Sequence, residues 1–309
     1  PDNYLSPATC AVMGAIMVPV WAYSINKVKK EIPKSKIPLL GIGSSLSFLF
    51  MMFNVPVPGG TTAHAVGGTL LAILFGPQAA TICITVALLV QALLFGDGGI
   101  LSFGANCFNM AFVIPVSGYF IYKVINNSLK TEKGSYIGAA IGSYIGINLA
   151  AFCAAVEFGI QPYLFKNASG VPMYCPYPLK ISIPAMLIPH LTGAGAVEIA
   201  VTLGVLVFIK KVSPDIIYKD AEYKTKPIFI LMAVLICLSP IGLLAAGSAW
   251  GEWGTDEIKN IVGYVPQGMK NGFSFNAFMS DYSVKGLPCA AGYILSAIAA
   301  TAIFLIVFR

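Results

Sequence analysis

The chain has 309 residues, 57% of them hydrophobic and only 10% charged, with a mean hydropathy of +0.80. Soluble domains carry about 25% charged residues, so water cannot be the solvent for most of this exterior, and a soluble enzyme is excluded. The formal net charge of +6 does not mark a nucleic-acid binder. The lysines lie in short loops between apolar runs, not in a basic helix or an aromatic-interleaved patch.

A hydrocarbon core about 30 Å thick takes roughly 20 residues of apolar helix. In chain order such runs cover Ala8–Ile25, Pro38–Asn54, Pro77–Phe95, Leu101–Tyr122, Ser135–Glu157, Ile181–Ile209, Pro227–Ala246 and Gly286–Phe308. A ninth run, Ala65–Phe75, is too short to cross alone; it reads as a short helix joined at Gly76–Pro77 to the next span, or as a re-entrant segment. No basic n-region or small-residue cleavage site precedes the first run, so no signal peptide is expected.

Lysine placement sets the expected orientation. Lys27, Lys29, Lys30, Lys34 and Lys36 fill one loop, Lys123, Lys130 and Lys133 a second, and Lys210, Lys211, Lys219, Lys224 and Lys226 a third; Arg309 ends the chain. Placing these loops in the cytoplasm puts the N-terminus outside and the C-terminus inside, which requires an odd number of crossings. The expected fold is therefore an all-α polytopic membrane protein with about nine transmembrane segments, one of them short. Gly138, Gly142 and Gly146 recur every fourth residue, the spacing that lets two membrane helices approach closely.

Few residues are suited to chemistry. Of seven cysteines, five lie inside apolar runs, where they read as small buried hydrophobes; Cys175 and Cys289 fall where an oxidising outer face could matter, and none forms a C-x-x-C or zinc spacing. There are two histidines. His64 follows the loop Pro56-Val-Pro-Gly-Gly-Thr-Thr-Ala at the mouth of the short helix, whereas His190 follows Pro189 inside an apolar run and reads as an interhelical hydrogen-bonding residue. Gln91, Asn106, Asn109, Glu157 and Glu198 fall at membrane depth, with Asp97 at a turn. Polar groups there are either functional or ties between helices. The i, i+3 spacing puts Asn106 and Asn109 on one helix face. No H-E-x-x-H, paired carboxylates or G-x-x-x-x-G-K-[ST] occurs, so no hydrolase set is visible and any ATP hydrolysis must come from another subunit.

Four stretches carry a family resemblance: Pro1-Asp-Asn-Tyr-Leu-Ser-Pro7, Gly59-Gly-Thr-Thr-Ala-His64-Ala-Val-Gly-Gly68, Gln91-Ala-Leu-Leu-Phe-Gly-Asp-Gly-Gly99 and Gly104-Ala-Asn-Cys-Phe-Asn-Met110. Across about residues 1–210 the chain resembles the CbiM/NikM substrate-binding components of cobalt and nickel energy-coupling-factor transporters. Residues 211–309, with Ser239-Pro-Ile-Gly-Leu-Leu, Trp250-Gly-Glu-Trp253 and Pro266-Gln-Gly-Met269, resemble the small NikN-type partner fused behind it, with two transmembrane helices and an outer loop.

The family begins Met-His-Ile-Pro-Asp-Gly, and this sequence opens at the matching proline, with Asn3 in place of the glycine. The resemblance implies that the α-amine, the next amide nitrogen and the imidazole at position two hold the metal, with His64 at the fourth corner. A planar nitrogen set suits Ni(II), and Co(II) less well. Asp2, Gln91, Asn106 and Asn109 are candidates for the shell around that site. Ala11 and Ala15 resemble the Ala-x-x-x-Ala surface that such components offer to their coupling protein; ordinary packing is the alternative.

The reading is thus a metal-capturing subunit in a prokaryotic cell membrane, with nickel (or cobalt) as transported substrate and no organic cofactor. Its expected partners are a NikQ/CbiQ-like coupling protein and NikO/CbiO-like ATPases. A proton-coupled secondary transporter using Glu157 or Glu198 is the main alternative, with an intramembrane metalloenzyme behind it.

Overall fold

The computed structural model describes residues 2–58, 61–212, 225–245 and 247–309. Among them, eight helices are long and apolar enough to cross a membrane: α1 (Pro7–Glu31), α2 (Lys34–Met52), α4 (Pro77–Phe95), α5 (Phe103–Leu129), α6 (Glu132–Leu164), α7 (Leu179–Val212), α8 (Lys226–Leu244) and α10 (Cys289–Val307). Between α2 and α4 lie a small antiparallel hairpin, β1 (Val55–Val57) and β2 (Thr61–Ala63), and the short helix α3 (Gly68–Phe75). A surface helix, α9 (Thr255–Val262), lies in the segment joining α8 to α10.

The short ninth run is the feature that shapes the interior. Eight helical residues rise only about 12 Å, so α3 covers less than half of a crossing. It runs beside α2: Gly43 of α2 faces the Phe75 ring and Leu71. The remaining depth is covered by β2 and the irregular residues 64–67. Irregular backbone is tolerated at membrane depth only where protein satisfies its polar groups. Here Ser47 Oγ donates to the Val66 carbonyl at 2.8 Å, and the Glu198 carboxylate accepts from Val66 N at 2.7 Å and Gly67 N at 3.0 Å. Glu198 thereby caps a helix start that has no capping side chain of its own. Gly67 makes the turn into α3 with φ +71°, and a Cβ there would press on the Phe50 ring at 2.7 Å; both reasons demand glycine.

The fourth-residue glycines pack α6 on α5. Gly138 faces the Tyr122 carbonyl, Gly142 the Gly118 carbonyl and Gly146 the Ile114 carbonyl. With lipid as solvent, such backbone approach and its dispersion contacts hold helices together. Gly142→Ala is therefore expected to cost about 1–3 kcal/mol, as overpacking does, because the obstacle is backbone and cannot rotate away. Thermal unfolding in detergent measures it; an unchanged midpoint for both Gly142→Ala and Gly142→Val would refute the close-packing account.

The C-terminal helix joins the same core. Gly41 of α2 abuts the Phe304 carbonyl, and the Phe48 and Phe304 rings lie 5.6 Å apart. The lysine-bearing ends of α5–α6 and α7 meet on one face, where Lys210 Nζ donates to Ser135 Oγ at 3.0 Å and lies over the Tyr136 ring. The residues before α1, the Gly96–Ser102 turn and the segment between α8 and α10 gather on the opposite, N-terminal face.

Candidate functional site

The N-terminal segment is anchored by its own side chains. Asp2 accepts from Ile100 N at 2.9 Å, Ser102 N at 3.0 Å and Ser102 Oγ at 3.2 Å. Gly99, at φ +87°, lies against that carboxylate, leaving no room for a Cβ. Asn3 exchanges two hydrogen bonds with Phe273, and the Tyr4 carbonyl accepts from Cys175 N at 2.9 Å. Tyr4, Phe158, Tyr177, Trp250 and Trp253 form one aromatic cluster, so the start of the chain, α6 and the segment after α8 close together.

Two cavities lie around this anchor. The outer one, about 630 Å³, is lined by Asp2, Asp97, Glu252 and Asp281, with no lysine, arginine or histidine among the described residues of its walls. Such a surface draws cations inward. The inner one, about 160 Å³, is lined by His64, Asn106, Asn109, Glu157, His190 and Glu252 among apolar neighbours. Glu252 belongs to both and so stands between them.

His64 is half-buried, directly after β2. Its Nδ1 faces the Ala65 carbonyl at 3.3 Å. A carbonyl only accepts, so Nδ1 is the donor here, and in the neutral ring that tautomer leaves the Nε2 lone pair available. His190 does not bond between helices as the sequence suggests; its Nδ1 reaches the carbonyl of Met186 on its own helix at 2.7 Å. The structure brings the two histidines into one cavity.

The other candidates separate. Asn109 Nδ2 donates to Glu157 Oε2 at 3.0 Å, leaving Asn109 Oδ1 and Glu157 Oε1 buried without a hydrogen-bond partner among the described residues. Asn106 lines the inner cavity and donates to the Gly98 carbonyl at 2.7 Å. Gln91 lines neither cavity; it donates to Asp97 and to the Tyr282 hydroxyl, tying α4 to the segment before α10. Glu198 is fully buried as the cap on α3 and lines neither cavity. Ala11 and Ala15 lie on the exposed side of α1 with Val12, Ile16 and Val18. Glu252 was missed by sequence reasoning, although its Trp-Gly-Glu-Trp setting could have drawn attention to it. Among the described residues no three His, Cys, Asp or Glu side chains converge on a metal-sized point.

Residues 1–216 match the family described as the cobalt uptake substrate-specific transmembrane region, CbiM. The chain belongs to the CbiM family. Behind this CbiM region, residues 224–309 match the PDGLE domain, the NikN-like part. The chain is 53% identical to a probable fused nickel transport protein, LarMN, of Lactiplantibacillus plantarum, covering 100% of this chain and 96% of that protein. It is 41% identical to the fused nickel transport protein NikMN of Rhodobacter capsulatus, covering 98% and 94%. A crystal structure of a truncated transition metal transporter is 55% identical with a TM-score of 0.65, over 68% of this chain and 97% of that one. This CbiM-family chain is a multi-pass membrane protein with prokaryotic relatives.

Proposed function

We propose that the chain is the substrate-capturing subunit of an ATP-driven, energy-coupling-factor importer for Ni(II), with Co(II) as the poorer substrate. The observation that carries this reading is the position of His64. His64 lines a cavity beside the Leu5 end of an N-terminal segment pinned by Asp2 and Asn3, with its Nδ1 on the Ala65 carbonyl. A Met-His-Ile extension before Pro1 would bring an amine, an amide nitrogen and an imidazole to that cavity, and His64 completes four nitrogen donors. The nickel transport relatives support the metal, and the acidic outer cavity supports a divalent cation. In this reading the N-terminal face is external, and a NikQ/CbiQ-like protein and NikO/CbiO-like ATPases complete the importer.

Calorimetric titration of nickel into two versions of the protein tests this. The chain carrying Met-His-Ile is expected to bind at least about 100-fold tighter than the chain beginning at Pro1, because linked donors act at high effective concentration. Equal affinity would exclude the chelator.

Ala11 and Ala15 are proposed to meet the coupling protein. Both are exposed on α1, as docking requires, and small residues let a second helix come close. The Ala11→Trp/Ala15→Trp protein is expected to keep its nickel but no longer co-purify with the coupling protein. Normal assembly and transport would remove this face from the interface.

A further inference from the structure

The second histidine in the inner cavity is not accounted for by that chelator, which already has four donors. Three observations distinguish it from a residue merely satisfied in the core. First, α7 changes its winding there: Pro184 and Pro189 lie inside the helix, and a π-helical turn covers His190–Ala194. Such single-turn irregularities tend to occur where a side chain is being placed. Second, the His190 backbone N–H turns to the Leu187 carbonyl, leaving Met186 O to accept from the imidazole Nδ1 at 2.7 Å. A ring nitrogen held on a carbonyl is the outer-shell arrangement that orients a metal-ligating histidine. Third, the remaining nitrogen, Nε2, has no hydrogen bond among the described residues, and the side chain lines the same small cavity as His64. His64 shows the same arrangement, with Nδ1 on a carbonyl and Nε2 bare.

The hairpin fixes the pair. Gly193, in the π turn, packs directly against Val57 of β1, and β2 leads into His64. One loop and one π-helical turn thus bring two imidazoles, each with Nδ1 on a carbonyl and Nε2 free of hydrogen bonds among the described residues, to a space of about 160 Å³. Neutral imidazole is a good ligand for Ni(II) and Co(II) and a poor one for Mg(II) or Ca(II).

We infer that the inner cavity contains a second station for the transition metal, formed by Nε2 of His64 and Nε2 of His190, distinct from the N-terminal chelator and sharing His64 with it. The inference rests on the proposed function. His64 is the ligand common to both stations, and His190 belongs to the inner one alone. A planar four-coordinate ion exchanges ligands by first accepting a further donor from above its plane. His190 offers that donor, so the metal can leave the chelator without passing through an uncoordinated state.

The test uses cobalt(II) chloride and nickel(II) chloride on the detergent-solubilised protein in two forms, with and without Met-His-Ile. The form beginning at Pro1 has only the inner station. It is expected to bind one Co(II) weakly, with cobalt-edge X-ray absorption showing two imidazoles. His190→Asn, whose amide retains a donor for Met186 O, should leave one imidazole and weaken binding at least tenfold. His190→Gln should do the same, and an unchanged thermal midpoint in either variant separates ligand loss from misfolding. In the form with Met-His-Ile, His190→Asn should leave equilibrium nickel affinity within about threefold while slowing nickel exchange to an external chelator at least tenfold. If folded His190→Asn and His190→Gln proteins bind Co(II) with wild-type affinity and imidazole count, the inner station does not exist. The chelator reading then stands or falls separately, on nickel binding by the complete protein with His64→Ala.

Discussion

His64→Ala, in the protein carrying Met-His-Ile, is expected to lower nickel affinity by more than about 100-fold and to abolish uptake at limiting metal. Removing an outer partner of a metal ligand already costs about 10–100-fold, and this change removes the ligand itself. Alanine leaves the fourth corner to water inside a cavity whose walls offer no replacement imidazole except His190. The fold should survive, because the His64 side chain makes one long hydrogen bond, to Ala65 O at 3.3 Å, and is only half-buried. Uptake of radioactive nickel by cells with matched amounts of protein is the decisive measurement. Wild-type uptake by this variant would overturn the site.

Glu198→Ala should have the largest effect on folding. Both carboxylate oxygens engage the backbone: Val66 N at 2.7 Å from Oε2, and Gly67 N at 3.0 Å from Oε1. Alanine strands two N–H donors in a fully buried site. Each stranded donor costs about 1–3 kcal/mol, and more when the lost acceptor was charged, so a total of about 3–6 kcal/mol is expected. That is a large part of the roughly 5–15 kcal/mol by which typical domains are stable. Glu198→Gln keeps one acceptor oxygen and should fall between. Fluorescence-detected size exclusion against temperature ranks the three proteins. A proton-carrying Glu198 predicts another order, with Glu198→Gln as stable as wild type yet inactive in transport.

The large features of the fold were legible because one property, apolar runs of bilayer length, determines them. The glycine row on α6 was legible for a similar reason, as a local pattern with one physical meaning, whereas Lys219 and Lys224 of the third lysine loop lie outside the described residues. Even the short ninth run was readable as a helix joined at Gly76–Pro77, since α3 ends at Phe75 and α4 begins at Pro77. The hairpin was not foreseen. Its strands are three residues each, with Pro56 inside β1, and what stabilises them is the surrounding bundle rather than any alternation in the sequence.

The site was only partly legible, because cavity walls are assembled from residues far apart in the chain. His64 was marked by its loop. His190 reads in the sequence as an interhelical hydrogen-bonding residue because nothing local shows that Gly193 packs on Val57, 136 positions away. Glu198 and Glu157 looked equivalent in sequence, as single carboxylates in apolar helices. Folding separates them: one is committed to backbone N–H groups, while the other keeps an oxygen without a partner beside Asn109. Gln91, grouped with the metal shell on the strength of its motif, instead bonds to Tyr282.

The clamping of the chain on either side of His64 also sets a constraint on length. Above it, Ala63 is held in register against Val55; below it, Val66 is held by Glu198 and Ser47. Only His64 and Ala65 lie between these two fixed points, and Ala65 is itself buried. One residue more or fewer between the clamps would shift the imidazole from its place in the cavity wall without altering a single ligand. The address of the nitrogen is therefore written in a residue count as much as in a residue type, and a histidine one place earlier or later is not an equivalent histidine.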